Sequence, residues 1–290
     1  MRVHFCGTRG STPAPGTEFV RYGGSTSCLA IASTPAAGGE PGRPVLLLDA
    51  GTGLRRVAPL LGGHAFRGTI LVTHFHWDHI EGIPFFGSGD REDATVSMMF
   101  PPQEDGTDSE SVLGRMMSPP LFPIWPKDLR GRWSFDELPR AAFGSEGARI
   151  EGFTVVARDV PHKGGRTVGF RVSDGHSTLV YVPDHCPTAV GPGPSGLGEI
   201  HPAVLDLATG ADLLVHDAFL VAEEVAELGM LGHAAAEYAV ELGQRAGVAH
   251  VALFHHHPDR CDDDIDDIVA RTADAAVPVR AAAEGTFIDL

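Results

Sequence analysis

The chain has 290 residues, 43% of them hydrophobic, and a formal net charge of −16 at pH 7. That length suffices for one large domain or two small ones with a substantial core, while the acidic balance, with no basic patch of useful size, argues against a general nucleic-acid surface. There is no run of about 18 apolar residues of the kind a membrane span needs, and the four separated cysteines, Cys6, Cys28, Cys186 and Cys261, form no CxxC pair and read as reduced thiols of a cytoplasmic protein.

The chain enters a strand-like run over 3–6 at once, with no long apolar leader. The glycine-rich loop from Gly7 to Pro13 follows and lacks both the GxxxxGK[ST] and the GxGxxG patterns, so neither ATP nor NAD is implied. Further strands are expected over 27–32, 45–49 and 69–73, separated by Gly/Pro-rich turns. The next stretch, about 84–148, is irregular. It carries Pro101-Pro102, Pro119-Pro120 and several aromatics, and reads as an elaborated insertion covering a site, with one or two helical turns over 108–117. Strand character returns over 149–158, 167–172 and 178–183. It is followed by a helix over 204–208, a strand over 212–216, a helix over 233–245, a strand over 248–254 and a final helix over 262–273, whose acidic start complements the helix dipole. Strands with late helices fit a layered α/β or α+β core.

The most informative residues follow the strand over 69–73. The run from Thr73 to His79 holds His74, His76, Asp78 and His79, imidazole and carboxylate being ligands of zinc and its first-row neighbours. In an extended segment His74, His76 and Asp78 share one side, and His79 comes from the turn that follows. One strand cannot aim all four at a single tetrahedral ion, so the spacing points to two adjacent metals, an arrangement used for hydrolysis. His162, Asp184 and His255 stand at other element ends, where a scaffold can direct them into the same cleft.

These residues resemble the metallo-β-lactamase-fold hydrolases, and more closely their ribonuclease Z-like and cyclic-phosphodiesterase-like branch. The HxHxDH motif of His74, His76, Asp78 and His79 carries the resemblance. The opening loop Gly7-Thr8-Arg9-Gly10-Ser11, the strand end from Leu48 to Gly53 and the run from Leu253 to Pro258 support it over nearly the whole chain. The resemblance implies one αββα sandwich domain spanning 1–290, with metals at one edge of the facing sheets. It assigns His74, His76 and His162 to a first metal, Asp78, His79 and His255 to a second, and Asp184 to both; the ions would be zinc, with manganese or iron as alternatives. His255 is taken as the last ligand because it comes first after its strand, leaving His256 and His257 to face solvent or meet substrate. The catalytic set is Asp78, Asp184 and His233, the last resembling the family's GHS/T element although Ala234 replaces Ser or Thr. A hydroxide held between the metals would attack phosphorus, and His233 would contact phosphate and protonate the leaving oxygen. Asp49, and less strongly Thr73, would orient metal-bound histidines. Arg9, Lys163 and Arg166 could meet substrate phosphate.

The implied function is hydrolysis of a small, cyclic phosphodiester. The alternatives are ribonuclease Z-like tRNA 3′ processing, set back by a stretch over 84–148 that is not strongly basic, and lactone or thioester hydrolysis. The expected partner is the small substrate, with long nucleic acid disfavoured, no membrane, and a homodimer left open.

Overall fold

The computed structural model describes residues 1–34 and 42–290. Two seven-stranded sheets face each other. The first contains β1 (Arg2–Gly7), β2 (Cys28–Ala32), β3 (Leu46–Leu48), β4 (Arg67–Leu71), β5 (Thr95–Phe100) and β6 (Arg132–Glu137) in that order, with β14 (Phe287–Asp289) beyond β1. The second runs β7 (Ala148–Ile150), β8 (Phe153–Asp159), β9 (Val168–Ser173), β10 (Thr178–Val182), β11 (Leu213–Asp217), β12 (His250–Phe254) and β13 (Val279–Ala281). In the first sheet, pairing from β14 to β3 is antiparallel and from β3 to β6 parallel. The second sheet repeats the pattern, antiparallel from β7 to β10 and parallel from β10 to β13.

Alternation explains the layering. Val3, Phe5, Leu29, Ile31, Leu46 and Leu48 of the first sheet meet Phe153, Val155, Phe170, Tyr181, Leu213 and Phe254 of the second in one buried core. The opposite faces are covered by helices: α1 (Val57–Leu60), α2 (Trp77–Ile80) and α3 (Ser109–Gly114) on the first sheet, and α4 (Pro202–Ala208), α5 (Val225–Leu228), α6 (Ala236–Ala246) and α7 (Asp262–Arg271) on the second. This is the expected αββα sandwich. Among the described residues, no helix is long and apolar enough to cross a membrane.

Three local expectations change. The single strand over 149–158 is a hairpin, β7–β8, turned by Glu151 and Gly152 at φ 49° and 86°. The stretch over 84–148 supplies β5 and β6, which extend the first sheet, as well as α3, capped by Asp108 accepting from Ser111 N at 2.9 Å. The helix expected from 233 begins at Ala236, because Leu220 pairs with 234–236 in a short parallel bridge that keeps His233 and its neighbours out of the helix.

Candidate metal centre

The donors converge because five parallel strands end at the same edge of the sandwich, the usual place for a site in such sheets. Asp49 follows β3, His74 and His76 follow β4, Asp184 follows β10, Asp217 ends β11, and His255 follows β12. The extended reading of the motif holds only as far as His76. Trp77–Ile80 is a helical turn with His76 as its N-cap, so Asp78 and His79 are delivered by a helix start instead of strand alternation. His162 comes from the loop after β8.

Donor atoms of His74, His76, His162 and Asp184 lie within 4.8 Å of one another, as do those of Asp78, His79 and His255, and those of Asp184, His233 and His255. Asp184 joins the groups, its Oδ2 at 2.9 Å from His79 Nε2 and 3.3 Å from His255 Nε2, its Oδ1 at 3.4 Å from His162 Nε2.

The hydrogen bonds behind the cluster fix which nitrogens face inward. His79 Nδ1 donates to Asp49 Oδ2 at 2.8 Å, and His162 Nδ1 to the Gly232 carbonyl at 2.8 Å. His74 Nδ1 donates to Thr73 Oγ1 at 3.0 Å, and that hydroxyl donates to Asp49 at 3.0 Å. Asp49 also accepts from Thr73 N at 2.7 Å and from the Tyr181 hydroxyl at 2.9 Å. Each of the three rings therefore turns Nε2 inward, and His74 Nε2 is buried with no hydrogen-bond partner. Lone pairs and carboxylate oxygens crowded together repel unless cations lie between them, so this donor set of nitrogen and oxygen fits divalent ions.

Proton affinities follow the same crowding. Burial opposes charge on His79, yet Asp78, Asp184 and Asp49 hold its pKa well above the ordinary value. Burial and neighbouring imidazoles lower His74, and lower His76 to about 4. Asp78 is held well below the usual carboxylate range by His79 and His255, and Asp184 by His255, His79 and His74, in both cases against burial.

His233 is buried beside this cluster, its Nδ1 3.1 Å from Asp217 Oδ2 and 3.7 Å from Asp184 Oδ1. Burial disfavours its charge, but Asp217 and then Asp184 raise its pKa to about 9. Asp217 is the residue that sequence reasoning undervalued. It is wholly buried and also accepts from His185 N, Phe219 N and Ala234 N. Its signal was its position as a strand-end carboxylate, the same as that of Asp49 and Asp184.

The other histidines separate clearly. His255, at φ 58°, turns Nε2 to 2.9 Å from Asp78 Oδ2. The buried His256 instead donates to the Ala282 carbonyl, and the half-buried His257 ring lies 4.5 Å from that of Phe219. His185 and His216 are buried together behind Asp184, 3.1 Å apart. Arg9 does not face the site. Its guanidinium is buried and donates to the carbonyls of Gly23, His257 and Arg260, tying the opening loop to the last one. Arg166 is paired with Asp159 and stacked over Phe143.

The family described as Beta-lactamase superfamily domain matches residues 45–257. A 72-residue segment is 40% identical to a ribonuclease Z of Brevibacillus brevis, spanning 25% of this chain and 23% of that protein. The metallo-beta-lactamase fold protein YhfI from Bacillus subtilis superposes with a TM-score of 0.70 at 16% identity, over 99% of each chain. Human tRNase Z, short form, superposes with a TM-score of 0.62 at 18% identity, over 100% of this chain and 99% of its own. At these identities the two structures speak for the fold. The matched domain, the sandwich and the clustered histidines and aspartates together place the chain in the metallo-β-lactamase superfamily, as a metal-dependent hydrolytic enzyme.

Proposed function

We propose that this enzyme hydrolyses a small, cyclic phosphodiester at a centre for two divalent ions. His74, His76, His162 and Asp184 would hold one ion, and Asp78, His79, His255 and Asp184 the other. Zinc suits the nitrogen and oxygen donors best, and manganese or iron could use them. When bound, the ions supply Lewis acidity and a lowered pKa for water. The reading further takes the chain as one catalytic unit whose stretch over 84–148 flanks the site, working in the cytoplasm, where its free cysteines stay reduced.

The observation that carries the phosphodiester reading is His233. Its Nδ1 lies 3.1 Å from the buried Asp217 and 3.7 Å from the shared Asp184, carboxylates that favour its protonated form against burial. There it offsets charge on a phosphoryl group and donates a proton to the departing alkoxide, while Asp217 keeps the ring oriented. Processing of tRNA 3′ ends is the second reading, favoured by the segment shared with ribonuclease Z. The net charge of −16, and a stretch over 84–148 in which acids outnumber bases, count against it.

The test is metal content and turnover on one metal-defined preparation with bis-p-nitrophenyl phosphate, 2′,3′- and 3′,5′-cyclic nucleotides and a precursor tRNA. About two ions per chain and cyclic-ester turnover, both lost in folded His76→Ala and Asp184→Ala proteins, are expected. Site-specific tRNA cleavage would put the second reading first. Full occupancy with no phosphodiester turnover would direct the search to lactones and thioesters.

A further inference from the structure

We propose that Lys163 is a substrate-binding residue whose ammonium takes a non-bridging oxygen of the reacting phosphate from the rim of the donor cluster; this rests on the phosphodiester reading above. Lys163 directly follows His162 on the loop after β8, and it is exposed. A Cβ on Gly232 would fall 3.4 Å from Lys163 Cγ, 3.5 Å from its Cδ and 3.5 Å from His162 Nδ1. The lysine stem therefore lies along the same glycine whose carbonyl receives His162 Nδ1, and the next residue in the chain is His233. Long cationic side chains lay their methylenes on protein and keep the charged head in water. Here that habit roots the ammonium at the junction of a donor histidine and the buried His233, whose rings are 5.3 Å apart.

Charge separates Lys163 from the cations around it. Arg9 on the opening loop donates to three carbonyls, Arg166 on the same loop as Lys163 is engaged by Asp159, and Arg260 on the last loop is engaged by Glu224. Lys163 makes no hydrogen bond or ion pair with any described residue. The chain offers it 38 aspartates and glutamates against 22 lysines and arginines, so an unpaired tip on an anchored stem is left for a partner from outside the chain. An ammonium is a compact charge with three donors, which suits phosphate oxygens without demanding one fixed geometry. Two cationic groups then serve the anion at different depths, His233 buried beside Asp184 and Lys163 at the exposed rim.

A purely solvating lysine fits these surroundings less well. Gly232 ends the short helical turn Gly229–Leu231 in the left-handed region, at φ 100°, and Gly164 and Gly165 follow Lys163 at φ 80° and 130°. Lys163 thus stands between backbone turns of a kind that glycine adopts readily and other residues do not. The inference also separates reaction classes. A lactone or thioester has no anion at its reacting centre, so a cation held here favours a phosphodiester over a neutral ester.

The experiment compares the metal-loaded protein with Lys163→Gln, Lys163→Glu and Lys163→Arg, with metal content and Tm measured for each. Turnover of bis-p-nitrophenyl phosphate is followed at low and high ionic strength, and binding of inorganic phosphate by titration calorimetry. Lys163→Gln should raise KM and weaken phosphate binding by about three- to tenfold while kcat and metal content hold. Lys163→Glu should weaken both further, and Lys163→Arg should restore them. Added salt should raise KM more in the parent than in Lys163→Gln. Unchanged KM and phosphate affinity in the Gln and Glu variants overturn the inference. A loss that tracks lowered metal content also overturns it, because Lys163 would then act through His162. Phosphate binding that depends on Lys163, without turnover of any phosphodiester, supports the anion contact and overturns the phosphodiester reading.

Discussion

Wholly buried carboxylates are rare, and Asp217 and Asp49 are both tolerated because each accepts at least three hydrogen bonds. Their partners differ. Asp49 orders Thr73, His74 and His79, whereas Asp217 orients His233. Asp217→Asn keeps the shape and removes the charge that raises His233. Turnover of a diester with a poor alkoxide leaving group should therefore fall about 10–100-fold. A p-nitrophenyl diester, which needs little protonation, should change far less, and an equal loss for both would remove His233 from the acid role. His256 shows the opposite electrostatics: burial lowers its pKa from 6.5 to about 3. Between these values the unfolded chain binds the extra proton, so stability falls as pH drops through that window and is unaffected by this group above it. His256→Gln preserves a donor for the Ala282 carbonyl, and its Tm should decline less than that of the parent between pH 7 and pH 5. Parallel melting curves for the two proteins would dismiss the assignment.

At the scale of elements, the site depends on close approaches that only glycine permits. A Cβ on Gly10 would fall 2.5 Å from His255 Nδ1, and one on Gly51 2.1 Å from the Asp78 carbonyl. The opening loop thus presses on the last loop, and the turn after β3 presses on α2. Gly10→Ala should displace the His255 ring and weaken one of two bound ions about tenfold or more, by titration with a competing chelator. Gly62→Ala is the control. At φ 58° with open space around it, it should cost only about 1–2 kcal/mol of stability and leave metal affinity alone. Most elements were legible from period-two and helical patterning, since β1, β2, β10 and α7 appear within a few residues of their expected bounds. The hairpin β7–β8 was not, because both arms are apolar and the turn lies at Glu151-Gly152 without a two-glycine or Asn-Gly signal. The alternation in β5, with Val96, Met98 and Phe100 buried, was masked by the prolines that follow it.

For the whole molecule, the consequence is that the two sheets are joined at their shared edge by the donor cluster. His74, His76, Asp78 and His79 belong to the first sheet's connections, and His162, Asp184 and His255 to the second's. Ions held between them would act as cross-links that bind the folded state alone. Loading should stabilise the protein by about 2.7 kcal/mol per site at a hundredfold excess over Kd. Calorimetry with and without chelator should register a higher Tm for the loaded protein and a much smaller gain for Asp184→Ala. An equal gain in that variant would place the ions elsewhere.

The sequence alone determined the chemistry, because ligand types and their spacing in His74-Phe75-His76-Trp77-Asp78-His79 are local properties, and it determined the layered fold, because burial imposes a period on each strand. Only the tertiary structure decided which of three consecutive histidines turns inward, since that depends on the backbone of His255 and on what receives His256. It likewise revealed Asp217 behind His233. These arise where segments far apart in the chain meet, and no local pattern encodes such a meeting.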